Sequence, residues 1–398
     1  MPPFSAVHAC THLRPMGGVQ TVLRRHLRRD AVLGISSAAV LWFENGSFEP
    51  DAAGRPASGL GLKWWHTGRT LRRRLRRLMA SNPAAEALWA YHDLWGLPTA
   101  ADLDGAGRRV GIVHSQWEAT DGLLQASRGV VDGMLCISAA TVDLARSHLP
   151  GMEPERIAWL PVPVDPPASL PPGRQTGRAE WVIGYCGRIQ KHQKRVERIP
   201  GVARALRAAG VSHRWEFLGT GPESAALEAE FATAGIPARF HGIRSGDDYW
   251  RVLADWDAIL FTSDFEGLPI AMIEAMCCGV IPVFPEVPCG GRDYTARVAP
   301  KLVYPAGDPE GAAGALRWLQ GLGTPEVEAL RQRARDTAGS HARDAYGRTF
   351  AAYARHLSTL PRISRSGPSA RKVHPGEWLP FGLLARLSPR HPLRVGYL

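Results

Sequence analysis

Short apolar runs alternate with helix-like stretches twice along this chain, once before and once after the proline-dense segment PVPVDPPASLPPGRQT at 161–176. Parallel strands need a crossover connection, and an amphipathic helix supplies it, so such alternation builds a parallel sheet covered by helices. The first series reads FSAVHAC, a helix over 19–29, SSAAVLWF, ALWAYHDLW, RRVGIVHS, then VDGMLCIS followed by helical AATVDLARSHL. The second reads WVIGYCG, a helix over 195–209, HRWEFLG, a helix over 223–234, ARFHG, a helix over 246–254, DAILFTS, a helix over 269–278, and VIPVF. Proline removes a backbone donor and fixes φ, so the segment between the two series is a linker. The expected fold class is α/β, with two Rossmann-like doubly wound domains facing each other across a hinge.

At 398 residues, 45% of them hydrophobic, the chain exceeds one ordinary core and suits two. The expected boundaries are a first domain at 1–165, a linker at 166–180, a second domain at 181–340, a C-terminal helix at 341–358 and a basic, irregular tail at 359–398. Tyr346, Phe350, Tyr353 and Leu357 recur at helical spacing and make one apolar face that needs a partner. In the tail only WLPFGLLARL has amphipathic character.

The formal net charge of +11 rests on arginine, since lysine occurs only at 63, 191, 194, 301 and 372. The tail holds seven basic side chains against Glu377 alone. This excess is a weak functional signal by itself, and no nucleic-acid partner is expected. The longest apolar candidate, AVLGISSAAVLWF at 31–43, falls short of the ~20 residues of a membrane span. The start MPPFSAVHAC reads as a strand rather than a secretory signal, so a cytoplasmic location is expected. The six cysteines show no metal-ligand or CxxC spacing, and no metal or cofactor is expected. Asp102 and Asp104 form an Asp-x-Asp pair in a polar stretch, a pattern short enough to arise by chance.

In open α/β sheets ligands bind beyond the carboxyl ends of the strands, and several motifs occupy such places. In DAILFTSDFEGLPIAMIEAM, Glu266 and Gly267 fall in the loop after a strand, and Pro269 suits the first helical turn. The N–H groups of Gly267 and Leu268 would then face an anion. Glu274 lies on the helix within IAMIEAMCC, and a glutamate there needs a partner if it is buried. Carboxylates accept two hydrogen bonds, as a vicinal diol such as a ribose offers. Arg188 follows the strand-end Gly187 and Lys194 precedes the next helix, a pair suited to a diphosphate. Gly17 and Gly18 stand where a strand-to-helix loop lets a ligand approach the backbone. His114 ends the strand VGIVH, where by itself a satisfied core histidine is the ordinary reading. GTGPES at 219–224 resembles a dinucleotide fingerprint but is a degraded match, with Ser224 in the third glycine's place.

Together, Glu266 and Glu274 in an E-x7-E arrangement, GRIQKHQK, the Gly17-Gly18 loop, FLGTGPE, FHGI and His114 resemble the retaining GT-B glycosyltransferases of family 4 (glycosyl transferases group 1) over residues 4 to 358. The resemblance implies an enzyme that moves a sugar from a nucleoside-diphosphate donor to a glycan, lipid-linked or small-molecule hydroxyl with retention. The first domain becomes the acceptor side and the second the nucleotide-sugar side. Arg188 and Lys194 hold the diphosphate, Glu274 takes the ribose, and Glu266 with Gly267 and Leu268 orients the sugar. Gly18, beside Gly17, approaches the phosphate, and His114 contacts the sugar. Two positions depart from the pattern: Arg195 stands where a glycine is frequent, and Val19-Gln20 where an acidic residue is. Same-fold epimerases and phosphorylases, a non-catalytic nucleotide-sugar or glycan-binding protein, and a nicotinamide oxidoreductase suggested by GTGPES are the rivals. The segment HTGRTLRRRLRRLM at 66–79, after Trp64 and Trp65, reads as a basic amphipathic helix that either contacts an anionic membrane surface or packs its leucines on the first domain and shows its arginines to water.

Overall fold

The computed structural model describes residues 4–13, 17–48, 57–81, 87–100, 107–117, 119–173, 175–341, 344–363 and 375–387. The Asp102–Asp104 pair lies outside these residues. The chain forms two units, Met1–Pro161 together with Asp344–Leu398, and Val162–Arg343.

The first unit carries β1 (Phe4–Cys10), β2 (Ile35–Leu41), β3 (Asn45–Phe48), β4 (Ala57–Leu60), β5 (Leu88–His92), β6 (Arg109–Val113), β7 (Gly133–Cys136) and β8 (Ile157–Trp159). They join in the order β3-β4-β2-β1-β5-β6-β7-β8, all parallel except β3, which runs antiparallel to β4. Side chains alternate between the faces. Val7 and Ala9 of β1, with Trp89 and Tyr91 of β5, pack with Leu71, Leu75, Leu123 and Leu124. On the opposite face Ala6, Leu88, Ala90, Val110 and Ile112 meet Tyr346, Phe350, Tyr353 and Leu357. The partner of that C-terminal apolar stripe is therefore the first sheet, and the helix Ala345–Thr359 returns to it across the whole second unit of sequence.

The last residues were expected to be irregular apart from WLPFGLLARL, and this segment does form a helix, Phe381–Leu387. Phe381 and Leu384 are buried in the first unit beside Phe43 and Trp95. Two backbone bonds fix it, Phe381 N–H to His66 O at 2.9 Å and Gly382 N–H to Trp64 O at 2.8 Å.

The second unit holds β9 (Trp181–Cys186), β10 (His213–Leu218), β11 (Ala238–Gly242), β12 (Ala258–Leu260), β13 (Ile281–Pro285) and β14 (Val303–Tyr304), all parallel, in the order β11-β10-β9-β12-β13-β14. Strands covered on both faces are apolar throughout, and β13 is buried at every position. The order reverses between β9 and β12, so the loops that follow these two strands part from each other at the switch point where such sheets bind ligands. These are the loops that carry Arg188, Lys194 and Glu266. Among the described residues no helix is long and apolar enough to cross a membrane.

Candidate active site

The loops after β9 and β12 are tied together before any side-chain chemistry begins. Asp264 N–H donates to Gln193 O at 3.0 Å. Thr262 Oγ1 donates to Lys194 O at 2.8 Å, and Arg198 donates to Thr262 O at 2.9 Å. Arg195, in the loop after β9, adopts the left-handed region at φ 50° and ψ 42°, a conformation that glycine takes without strain. Asp264 holds it there by pairing with both Arg195 and Arg198, the latter at 2.6 Å. Burial works against the Asp264 charge, but these two guanidiniums keep its carboxyl below the usual range.

Glu266 stands on this frame with 7% of its surface exposed. Lys194 Nζ and Ser263 Oγ both reach its Oε1, the hydroxyl at 2.7 Å. Gln193 Nε2 donates to its Oε2 at 3.4 Å and to Phe265 O at 3.1 Å, while Gln193 Oε1 accepts from Arg188 at 3.2 Å. Arg188, Gln193, Glu266 and Lys194 thus form one connected set, with two cations and one carboxylate at the switch point. Gln193 is the member that sequence reading missed; a side chain that both donates and accepts leaves no charge signature.

Pro269 sits at the helix N-cap, with φ −62° and ψ 121°, and the helix runs Ile270–Cys277. This corrects the expectation of Pro269 inside the first turn by one residue, because its ψ is extended. Gly267 and Leu268 precede the helix, and Gly267 O accepts from Gly291 N–H at 3.3 Å. Glu274, 4% exposed, accepts from the Tyr249 hydroxyl at 2.5 Å. Tyr249 comes from the helix Gly246–Ala254, and burial first, then Cys186 and Glu274, push its hydroxyl well above the usual phenol range. Tyr249 stays a neutral donor, so Glu274 is the partnered glutamate that its apolar setting required.

The GTGPES loop answers to packing. A Cβ on Gly219, at φ +124°, would lie 2.0 Å from Gly187 O, and one on Gly221 would lie 2.1 Å from Ile189 O. Ile189 N–H donates to Thr220 O at 3.0 Å, and Gly221 N–H is taken by Ser224 Oγ at 3.0 Å. These glycines let the loop brace the backbone on either side of Arg188.

In the first unit Gly17 is the N-cap of the helix Gly18–Arg29, with no side-chain cap. A Cβ at Gly17 would meet only Gln20 Oε1, at 3.5 Å, among the described residues. Its φ of 177° suits any residue, so neither strain nor crowding within this unit demands glycine there. His114 follows β6, 6% exposed, and its Nε2 lies 2.9 Å from His92 Nδ1. Burial pushes its imidazole down to about 3, so it is neutral near pH 7.

Residues 180–321 match the family described as Glycosyl transferases group 1. Over 255 residues the chain is 29% identical to the 2-deoxystreptamine glucosyltransferase of Streptomyces kanamyceticus, a match spanning 63% of this chain and 62% of that relative's length. The match thus covers less than two thirds of that relative. Among solved structures, HepE of Anabaena in complex with UDP and glucose superposes with a TM-score of 0.68 at 15% identity, over 90% of this chain and 100% of that one. The lipopolysaccharide outer core galactosyltransferase WaaB, in its apo form, gives 0.67 at 16% identity, over 90% and 100%. At these identities the agreement is one of fold.

Proposed function

We infer, for a chain that belongs to the glycosyl transferases group 1 family and has the GT-B fold, that it transfers a sugar from a nucleoside-diphosphate donor to a hydroxyl acceptor with retention of configuration. The observation that carries this reading is the set Arg188, Gln193, Glu266 and Lys194 at the switch point of the second sheet, with Glu274 buried on the helix that follows Glu266. The HepE complexes with UDP and glucose and with UDP-glucose support a uridine-diphosphate hexose as the donor here.

Departure of the nucleoside diphosphate puts negative charge on the β-phosphate and positive charge on the anomeric carbon. Fixed cations lower that barrier because they are aimed where charge develops. Arg188 and Lys194 take the phosphate, and the diphosphate competes with Glu266 for the Lys194 ammonium. Glu266, released in part, accepts hydrogen bonds from the sugar hydroxyls beside Gly267 and Leu268. Glu274, oriented by Tyr249, accepts from the ribose. Retention places the acceptor hydroxyl on the leaving group's face, with its proton passing to a phosphate oxygen. The first unit supplies the acceptor side, with Gly17, Gly18 and His114 as its contact residues; the absence of any internal demand for glycine at Gly17 supports a backbone that a ligand approaches.

Calorimetric titration with UDP, which lacks the sugar, separates the two glutamates. Glu274→Gln weakens UDP binding about tenfold, the worth of a charge-assisted hydrogen bond. Glu266→Gln does not weaken UDP binding, since it frees the Lys194 ammonium for the diphosphate, and it lowers turnover with UDP-glucose about 100-fold. Equal loss of affinity in both variants overturns this division, and failure of the parent to bind any nucleoside diphosphate or its sugar overturns the reading as a whole.

The acceptor-side unit also carries a basic, aromatic surface. The helix Gly68–Ser81 buries Leu71 and Leu75, so its leucine face belongs to the core and cannot enter a bilayer. Arg69, Arg73, Arg76 and Arg77 are exposed, and beside them stand Trp64, Trp65 and Trp378, exposed by 57%, 53% and 57%. The Arg69 guanidinium covers the Trp378 ring at 3.7 Å. Tryptophans of this kind settle at headgroup level, and each arginine near an anionic surface adds about 1 kcal/mol. The reading is of a cytoplasmic enzyme that touches the inner face of the membrane reversibly, where lipid-linked acceptors reside. The parent sediments with anionic vesicles at low salt, and changing Arg73, Arg76 and Arg77 together to Gln weakens binding roughly 100-fold. A parent that stays in the supernatant at low salt would leave a soluble acceptor.

A further inference from the structure

A line of polar side chains crosses the apolar face of the first sheet. His8, His92 and His114 share the parity of Ala6, Ala90 and Ile112, so strand alternation places all three on the face covered by the helices Gly18–Arg29 and Ala345–Thr359. In the parallel register His8 lies opposite Ala90 and His92 opposite Ile112, so each histidine stands two residues further toward the strand ends than the last. The stagger brings ring to ring: His8 Nδ1 is 3.1 Å from His92 Nε2, and His92 Nδ1 is 2.9 Å from His114 Nε2. His92 and His114 stack at 5.1 Å between centroids.

The inner end of the line is Asp30, which has no exposed surface. Its carboxylate accepts from Ser37 Oγ and from His26 Nδ1 at 3.2 Å, and His8 Nε2 lies 3.4 Å from Oδ2, within reach of its charge though not aligned as a hydrogen bond. Burial opposes the charge, yet His26 and His8 beside it hold the carboxyl well below the usual range. His8 is pushed down to about 4 by burial first and then by His26, and burial holds His92 low as well. All three rings of the line are neutral near pH 7, and a neutral imidazole has one N–H and one lone pair. Their donors must therefore all point the same way.

We propose that Asp30 sets the tautomer of His114 through His8 and His92, each ring carrying its proton on Nε2, so that His114 keeps Nδ1 as an acceptor for a substrate hydroxyl. The direction follows from the anionic end. A lone pair on His8 Nε2 would be repelled by the carboxylate, so the proton sits there and Nδ1 accepts from His92. His92 Nδ1 in turn accepts from His114 Nε2. The assignment of Nδ1 to a hydroxyl rests on His114 as a contact residue in the proposed transfer; the relay itself does not. Asp30, His8 and His92 are positioning residues that touch no substrate. With the opposite polarity His114 would offer an N–H, and a hydroxyl that must act as donor would lose its acceptor.

The test is nitrogen-15 NMR of the full chain labelled at histidine, where long-range proton couplings identify the protonated nitrogen of each ring. In the parent His114 carries its proton on Nε2 at pH 7. In Asp30→Asn the amide offers N–H to His8 Nε2, the line reverses, and His114 carries its proton on Nδ1. With UDP-glucose as donor, once an acceptor is assigned, kcat falls at least tenfold in that variant while the donor KM stays within twofold. His92→Phe, which keeps a ring but cuts the line, gives His114 a mixture of tautomers and a similar fall. A parent with His114 protonated on Nδ1, or on both nitrogens, overturns the proposal, and so does a reversed tautomer with unchanged kcat. Stoichiometric divalent metal in the purified chain, found by elemental mass spectrometry, also overturns it, because a cation among His8, His26 and Asp30 would take the lone pairs the relay needs. The spectra decide the relay whether or not the chain transfers sugar, so its failure is distinct from failure of the proposed activity.

Discussion

Lys194→Ala loses about 100-fold in turnover at saturating donor and about 2 kcal/mol in stability. The rate loss is that of one missing charge stabiliser, about 3 kcal/mol in the barrier. The stability loss has a different origin. Lys194 and Glu266 pair with side-chain exposures of 15% and 6%, and removing the ammonium leaves a carboxylate with only the Ser263 hydroxyl and the Gln193 amide. Breaking a fully buried pair costs about 3 to 5 kcal/mol; the partial exposure of Lys194 lowers the figure here. The double variant Lys194→Ala with Glu266→Gln carries no orphaned charge, so it recovers most of the stability while turnover stays low. Urea unfolding and steady-state kinetics on the three variants read the two effects separately. Normal turnover in a folded Lys194→Ala protein would remove Lys194 from the phosphate site.

Phe350→Ala destabilises the first unit by about 4 kcal/mol, the cost of emptying a large aromatic site in a packed core. Phe350 has no exposed surface and stands 5.5 Å from the His8 ring, 5.0 Å from His26 and 6.3 Å from Phe4, centroid to centroid. Differential scanning calorimetry should show a transition lowered by roughly 10 °C, given the 2–4 °C per kcal/mol usual for a unit of this size. A loss below about 1 kcal/mol would mean that the returning helix is not what closes this face.

Both variants touch places whose sequence signals were uneven. Glu266 and Glu274 stand out because a carboxylate inside an apolar helix entry needs an explanation, and Arg188 and Lys194 because they follow a strand-end glycine. Gln193 and Tyr249 complete those contacts without any such mark: the amide has no charge, and a tyrosine on an amphipathic helix reads as core. His114 was visible as a strand-end histidine, whereas its connection to Asp30 runs through residues far apart in sequence and was invisible. The one available hint is parity, since His8, His92 and His114 all fall on the alternation of their strands that also carries Ala6, Ala90 and Ile112. The glycines of GTGPES carry an ambiguous signal, because close packing of a loop against Gly187 and Ile189 calls for the same glycines as a phosphate would.

What the sequence determined by itself is what local periodicity and backbone chemistry control: two alternating series, the linker between them, the apolar stripe of Tyr346, Phe350, Tyr353 and Leu357, and carboxylates and cations at strand ends. Strand and helix periods repeat within a few residues, so they can be read without knowing what lies opposite. The tertiary structure alone decided that this stripe closes the first sheet rather than the second, that the leucines of Gly68–Ser81 face the core, that Lys194 rests on Glu266, and that three histidines line up on Asp30. Each of these is a contact between residues brought together by strand order, and strand order follows from which apolar faces bury each other, a property of the whole chain that no short stretch of it carries.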